Sequence, residues 1–142
     1  MRTFFDTSVL IASMIEDEPG HGAALNALNQ RARTQCYAAL HSVAECFATL
    51  TGGRLGIQIS AANAAEMIHA NVVEPLELIT LSKNEYVQVI KAAQDRGMRG
   101  GAIYDGLLLA CARKAEAERI LTLNTRHFVA FAPDLRDRIH PP

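Results

Sequence analysis

The chain has 142 residues, with 14 Lys and Arg against 15 Asp and Glu for a formal charge of −1. Near-neutrality excludes gripping long nucleic acid through a bulk positive field, so any such partner needs a local basic rim, bound metal or a second subunit. Hydrophobic residues make up 49% and charged residues 20%, with no apolar run of membrane-spanning length, so a soluble globular domain over residues 1–142 is expected.

Residues 3–5 read as a short buried strand, and Thr7–Glu16 as a helix stopped by Glu18-Pro19-Gly20. Asp6 stands between them. A carboxylate where a buried strand meets a helix is costly unless it caps the helix or meets a charge partner, and its two oxygens allow both. A helix over about 21–33 follows, with Ala24, Leu28 and Ala32 at helical spacing and Leu25 beside them, then a short strand at Gln35–Ala39.

His41–Thr51 has the spacing of a helix with an apolar stripe of Val43, Cys46, Phe47 and Leu50, ended by Gly52-Gly53. The opposite stripe is His41, Glu45 and Thr49. Glu45 is the sole charged residue between Arg33 and Arg54, which favours a role in a cleft over that of a wet surface group. Ser60 is the expected cap of a helix to about Asn71, and Leu76–Leu81 is a strand candidate. Ser82-Lys83-Asn84-Glu85 fits a capping box leading into a helix to Arg96, whose core face is expected to be Tyr86, Val89, Ile90 and Ala93.

The basic, glycine-rich loop Arg96–Gly101 feeds a helix over about Ala102–Ala115, nearly apolar from Gly106 to Ala112 and therefore buried on most sides. Asp105 lies in its first turns. The helix dipole favours an acid there but is too weak to justify burial, so a charge partner is expected. Arg119–Leu123 reads as a strand, Phe128–Phe131 as a turn of helix, and Arg138–His140 as the source of a last edge strand.

Helices alternating with short apolar strands imply a parallel sheet covered on both faces, with its ligand site beyond the carboxyl ends of the strands. Asp6, Glu45, Asp105 and Asn124 can all converge there. Three acids in one place repel one another at neutral pH, and Mg²⁺ or Mn²⁺, which prefer hard oxygen ligands, would remove that repulsion. The pattern points to metal-dependent hydrolysis, with nucleic acid as the expected substrate. Asn124 can ligate a metal through its carbonyl or hold a ligating water, without the charge of a carboxylate. Ser8 and Thr122 can hydrogen-bond the acids. His127 is open to contact with a phosphate, a water or the metal, or to a capping or surface role. Arg99 and Arg126 are candidates for phosphate contact or simply wet charges.

Cys36, Cys46 and Cys111 are scattered, odd in number and set in apolar surroundings, which argues for reduced buried thiols. With the first strand opening by residue 3 and no leader ahead of it, a cytoplasmic protein is expected. Neither Gly52-Gly53 nor Gly100-Gly101 has the form of a phosphate-binding loop, and no Ser or Cys sits in a nucleophile elbow.

Four segments carry a resemblance. Phe5-Asp6-Thr7-Ser8-Val9-Leu10, the helix bearing Glu45, Gly101-Ala102-Ile103-Tyr104-Asp105-Gly106-Leu107-Leu108 and Leu121-Thr122-Leu123-Asn124-Thr125-Arg126-His127-Phe128 together resemble the PIN-domain family, in particular the VapC-like ribonuclease toxins of toxin–antitoxin pairs. The resemblance implies a three-layer α/β/α PIN-like fold with a central short-stranded parallel sheet. It also implies Mg²⁺- or Mn²⁺-dependent endonucleolytic cleavage of RNA, with Asp6, Glu45 and Asp105 as metal ligands and Asn124 in the fourth motif.

Homodimerisation and inhibition by a cognate VapB-like antitoxin are implied as well. The helices at 7–16 and 42–51 are then candidate contact surfaces for the antitoxin, through which alone DNA is reached. Many relatives carry an acid where this chain has Asn124 or His127, so its site is expected to be less negative. Two other readings stay open: a PIN nuclease acting in RNA processing, and a catalytically weak PIN module that binds RNA or protein.

Overall fold

Successive residues of a strand face opposite ways, and the short strands of this chain put large apolar groups on both faces. Phe4 and Phe5 are both buried, as are Ile120 and Leu121. A strand with two buried faces must be covered on both sides. The computed structural model, which describes residues 1–56 and 58–142, shows such a sheet.

Its five strands are β1 (Arg2–Phe5), β2 (Gln35–Ala39), β3 (Glu77–Ile79), β4 (Arg119–Leu121) and β5 (Ile139–His140), in the order β3-β2-β1-β4-β5. All pairings are parallel. Phe4 lies opposite Tyr37 on one side and Ile120 on the other.

Helices α1 (Thr7–Met14), α2 (His21–Asn29), α3 (Leu40–Thr51) and α4 (Ala61–Ile68) cover one face. There Phe5, Leu121 and Cys36 of the sheet pack with Leu10, Leu50 and Ile68. Helices α5 (Lys83–Asp95), α6 (Ala102–Lys114) and α7 (Thr125–Phe131) cover the other, where Phe4, Tyr37 and Ile120 meet Val89, Leu108 and Phe128. The fold is thus a three-layer α/β/α sandwich around a short parallel sheet. Because the chain builds outward from β1 to β3 and then returns to place β4 on the other side of β1, strand order reverses between β1 and β4. The crevice beyond their carboxyl ends is where an open α/β sheet takes its ligand.

Side-chain caps open two of the helices. Ser60 caps α4 by accepting from the Asn63 N–H, and Ser82 with Glu85 forms the expected capping box on α5. Lys114 ties α5 to α6, donating to Glu85 Oε1 and to the Thr80 carbonyl, each at 2.8 Å. This holds the Glu85 carboxyl down at about 2. Gly106 lets α6 sit against α7, since a Cβ there would lie 2.5 Å from the Phe131 ring.

Several expected boundaries shift. Helix α1 ends at Met14, not Glu16; α2 gives way to a 3-10 turn at Gln30–Arg33; and a π turn at His69–Val73 follows α4. Strand β3 covers only Glu77–Ile79, and β4 stops at Leu121, two residues short.

The expected core face of α5 is half right. Val89 and Ala93 are buried, but Tyr86 is exposed and Ile90 is 58% exposed, beside exposed Val87. Period counting assigned them to the core; α5 is an outer helix that uses only a narrow stripe against α6. Phe47, expected on the buried stripe of α3, is 39% exposed for a similar reason, because Val43, Cys46 and Leu50 already fill that seam. The three cysteines are free and buried. Among the described residues, no helix is long and apolar enough to cross a membrane.

Candidate metal and active site

Asp6 is the residue immediately after β1, and its N–H donates to the Leu121 carbonyl at 2.9 Å. It occupies the cap position of α1, but its side chain makes no capping bond. Instead Oδ2 accepts from Ser8 Oγ at 2.6 Å and from Thr122 Oγ1 at 2.7 Å, lengths typical of hydroxyls donating to a charged oxygen. Each hydroxyl also accepts a backbone N–H from the turn after β4: Ser8 from Leu123 at 3.0 Å and Thr122 from Asn124 at 2.9 Å. The acid at the end of β1 therefore organises the loop at the end of β4. Asp6 is 2% exposed. Burial pushes its carboxyl above the usual range, the two hydroxyls pull it down, and the negative charge of Glu45 pushes it up again.

Glu45 faces the same end of the sheet from α3, away from the seam that buries Cys46 and Leu50. Thr7 Oγ1 donates to Glu45 Oε1 at 2.9 Å and lies 2.8 Å from Ser42 Oγ. A hydroxyl has one hydrogen, so with Thr7 donating to the carboxylate, Ser42 donates to Thr7. This buried chain of hydroxyls fixes Glu45 from beneath. His41 Nε2 approaches the same Oε1 at 3.9 Å. Burial together with the charges of Glu45 and Asp6 pushes the Cys46 thiol up to about 12, which makes it an inert packing group rather than a nucleophile.

Asp105, in the first turn of α6, shares a cleft with Asn124, His127, Met98 and Gly101. Partial burial raises its carboxyl to about 6, with Asp6 and Glu45 adding to the rise and His127 opposing it. The charges of Asp6 and Glu45, both far away in sequence, thus reach Asp105, and that of Glu45 reaches Asp6. Among the described residues, however, no three His, Cys, Asp or Glu side chains are drawn into a ready set of metal ligands. The donors are carboxylate oxygens whose mutual repulsion a divalent cation would relieve, so the site suits a hard ion in chemical character.

Asn124 begins α7 without capping it through its side chain, and both Asn124 and His127 are exposed on the cleft wall. Ser8 and Thr122 sit against Asp6 as described. Arg99 lies elsewhere, in an adjoining apolar groove with Ile90 and Ile103 that shares only Met98 with the cleft. Arg126 is exposed on α7. Sequence reasoning gave no role to Thr7 or Ser42. The available signal was a hydroxyl at the start of each helix whose neighbours on that face include an isolated acid. It also gave no role to Tyr104, whose ring stacks on that of His41.

The PIN-domain family model matches residues 3–132. Among solved structures, VapBC2 from Rickettsia felis, bound to a DNA fragment from their promoter, is similar with a TM-score of 0.66 at 13% identity, over 99% of this chain and 98% of that one. Mycobacterium tuberculosis VapC20, described as a sarcin-ricin loop cleaving toxin, is similar with a TM-score of 0.63 at 18% identity, over 83% and 86% of the respective chains. No curated protein sequence matches this one. With the sheet order, the acid at the switch point and a family match spanning nearly the whole length, the chain belongs to the PIN-domain family.

Proposed function

We propose that the protein is a divalent-metal-dependent endoribonuclease and the toxin member of a VapBC-type pair. The observation that supports this most is the position of buried Asp6 at the β1/β4 switch point, with Glu45 held beside it by Thr7 and both acids near enough to raise the carboxyl of Asp105. Asp6, Glu45 and Asp105 would hold Mg²⁺ or Mn²⁺. The ion would supply Lewis acidity toward a phosphodiester and a lowered pKa for an attacking water. Ser8 and Thr122 keep Asp6 in place and Thr7 keeps Glu45, so two of the three ligands are oriented before metal arrives. Asp105, raised to about 6 by burial and its neighbours' charge in the absence of metal, would give up its proton to a bound divalent ion. Asn124 and His127 would orient water or phosphate from the opposite wall, the exposed Arg126 would meet the nucleic-acid backbone nearby, and Arg99 would meet it farther out, from the adjoining groove.

RNA as substrate, hydrolysed to a 5′-phosphate and a 3′-hydroxyl, follows the family resemblance and the description of the similar VapC20 as a sarcin-ricin loop cleaving toxin. A VapB-like antitoxin is the proposed inhibitor. The apolar groove between α3 and α4, lined by Leu40, Val43, Phe47, Ile68 and Val73, is the proposed place for its hydrophobic segment. The exposed Tyr86, Val87 and Ile90 of α5 are the proposed homodimer contact.

A second reading, a PIN module that binds RNA without cutting it, is favoured by Asn124 in place of an acid and by the lack of a ready ligand set among the described residues. Incubating purified protein with RNA in Mn²⁺ or Mg²⁺ separates the two. The nuclease reading expects metal-stimulated cleavage that Asp6→Asn (D6N) and Asp105→Asn (D105N) abolish while circular dichroism stays native. Cleavage indifferent to both substitutions, or none with any RNA, would overturn it.

A further inference from the structure

His41 on α3 and Tyr104 on α6 form a stacked pair, with ring centroids 5.4 Å apart and planes inclined by 8°. The pair sits on the rim of the acidic crevice. His41 Nε2 lies 3.9 Å from Glu45 Oε1, and Tyr104 directly precedes Asp105. Tyr104 remains 48% exposed although a large aromatic ring gains by burial. Two parallel rings fixed by different helices offer a preorganised π surface, to which a third flat ring can add on the open side.

The charge balance gives such a surface a use. A net charge of −1 and three acids at the reaction centre repel a phosphate chain, so affinity for RNA has to come largely from contacts other than bulk electrostatics. Stacking of unpaired bases on aromatic side chains supplies that affinity and requires a base free of its duplex.

We propose that the His41–Tyr104 pair is a base-stacking platform that seats an unpaired base of single-stranded RNA next to the acidic crevice. The proposal deepens the ribonuclease reading and rests on it for the choice of RNA. Tyr104 is here a substrate-positioning residue: the stacked base sets which phosphate lies over Asp105 and Glu45. Duplex RNA, whose bases are already stacked and paired, is excluded from the platform.

The test uses the whole protein and its Tyr104→Ala (Y104A), Tyr104→Leu (Y104L) and Tyr104→Trp (Y104W) variants. Fluorescence anisotropy follows binding of short oligo(A), oligo(U) and duplex RNA in Ca²⁺, and a fluorescent adenine analogue placed in the single strand reports stacking by quenching. Y104A and Y104L are expected to weaken single-strand binding roughly five- to one-hundred-fold and to lose the quenching. Y104W should restore both, oligo(A) should bind more tightly than oligo(U), and duplex binding should not change. Wild-type affinity in Y104L, or wild-type protein that neither binds single strands nor quenches the analogue, overturns the platform and leaves the pair as a latch between α3 and α6.

Cleavage kinetics in Mn²⁺ keep the two readings apart. Cleavage with an unaltered KM in Y104A removes the platform and spares the nuclease. Tyr104-dependent binding without cleavage removes the nuclease and spares the platform.

Discussion

Asp6 and Thr122, 116 residues apart, are joined by a 2.7 Å hydrogen bond that ties the end of β1 to the end of β4. The same hydroxyl accepts the Asn124 N–H, so one side chain connects the most buried acid of the crevice to the loop that carries its opposite wall. Thr122→Val (T122V) keeps the shape and removes both bonds. It is expected to cost about 1–3 kcal/mol in urea denaturation, because a buried carboxylate and a backbone N–H each lose a partner. RNA cleavage should fall with it, and Thr122→Ser (T122S) should retain most of both. Equal stability of T122V and wild type would remove this bond from the account.

The carboxyl of Asp105 gives the metal-free protein a pH dependence of definite sign. Its value rises from an ordinary 3.8 to about 6 on folding, so the native state binds the proton more tightly than the unfolded chain. Between those pH values the native state holds more protons, and stability falls as pH climbs through the window. Asp6, also raised, contributes in the same direction. Denaturation midpoints measured across that range in chelator should decline for wild type and decline less for D105N. Mn²⁺ added at neutral pH should recover the loss in wild type only. Parallel profiles for the two proteins would show that Asp105 is not under this strain.

Gly106 follows Asp105 on α6, where the Phe131 ring leaves no room for a methyl group. Gly106→Ala (G106A) gains about 1 kcal/mol of helix propensity but forces α6 from α7, with a net loss expected at about 1–2 kcal/mol. Pairing it with Phe131→Leu (F131L) should recover part of that loss, a coupling readable in a double-mutant cycle. A stabilised single variant would mean that the ring moves aside freely.

Thr3 Oγ1 is buried without a hydrogen-bond partner among the described residues. Thr3→Val (T3V) replaces the stranded hydroxyl with a methyl of similar size and should leave stability unchanged or raise it by about 1 kcal/mol. Thermal denaturation checks this. A clear loss would reveal a bond to that hydroxyl in solution.

The exposed apolar face of α5 predicts self-association. Ile90→Glu (I90E) removes the most exposed large group of that face without touching the core, so folding should persist while a dimer, followed by analytical ultracentrifugation, weakens at least about tenfold. A sedimentation profile identical to wild type would remove this face of α5 as a self-association surface.

Much of this protein is legible in its residues. Short runs such as Thr3-Phe4-Phe5 bury both faces, and alternation with helices of ordinary length then leaves little choice but a covered parallel sheet. Caps at Ser60 and Ser82 were equally plain, because a cap is a bond between near neighbours. Asp6, Glu45 and Asp105 stood out because a lone charge in apolar surroundings demands a reason. What one chain segment cannot reveal is which segment will meet it. The burial of Val89 but not Ile90 depends on how much of α5 reaches α6. Thr122 and Ser8 were legible as hydrogen-bonding groups for the acids, but that both choose Asp6, that Thr7 backed by Ser42 holds Glu45, and that His41 meets Tyr104 were decided only when the strand order 3-2-1-4-5 brought distant residues to one crevice. Local periodicity encodes elements; hydrogen bonds and charge coupling between elements arise from packing, and in this fold the candidate chemistry lies there.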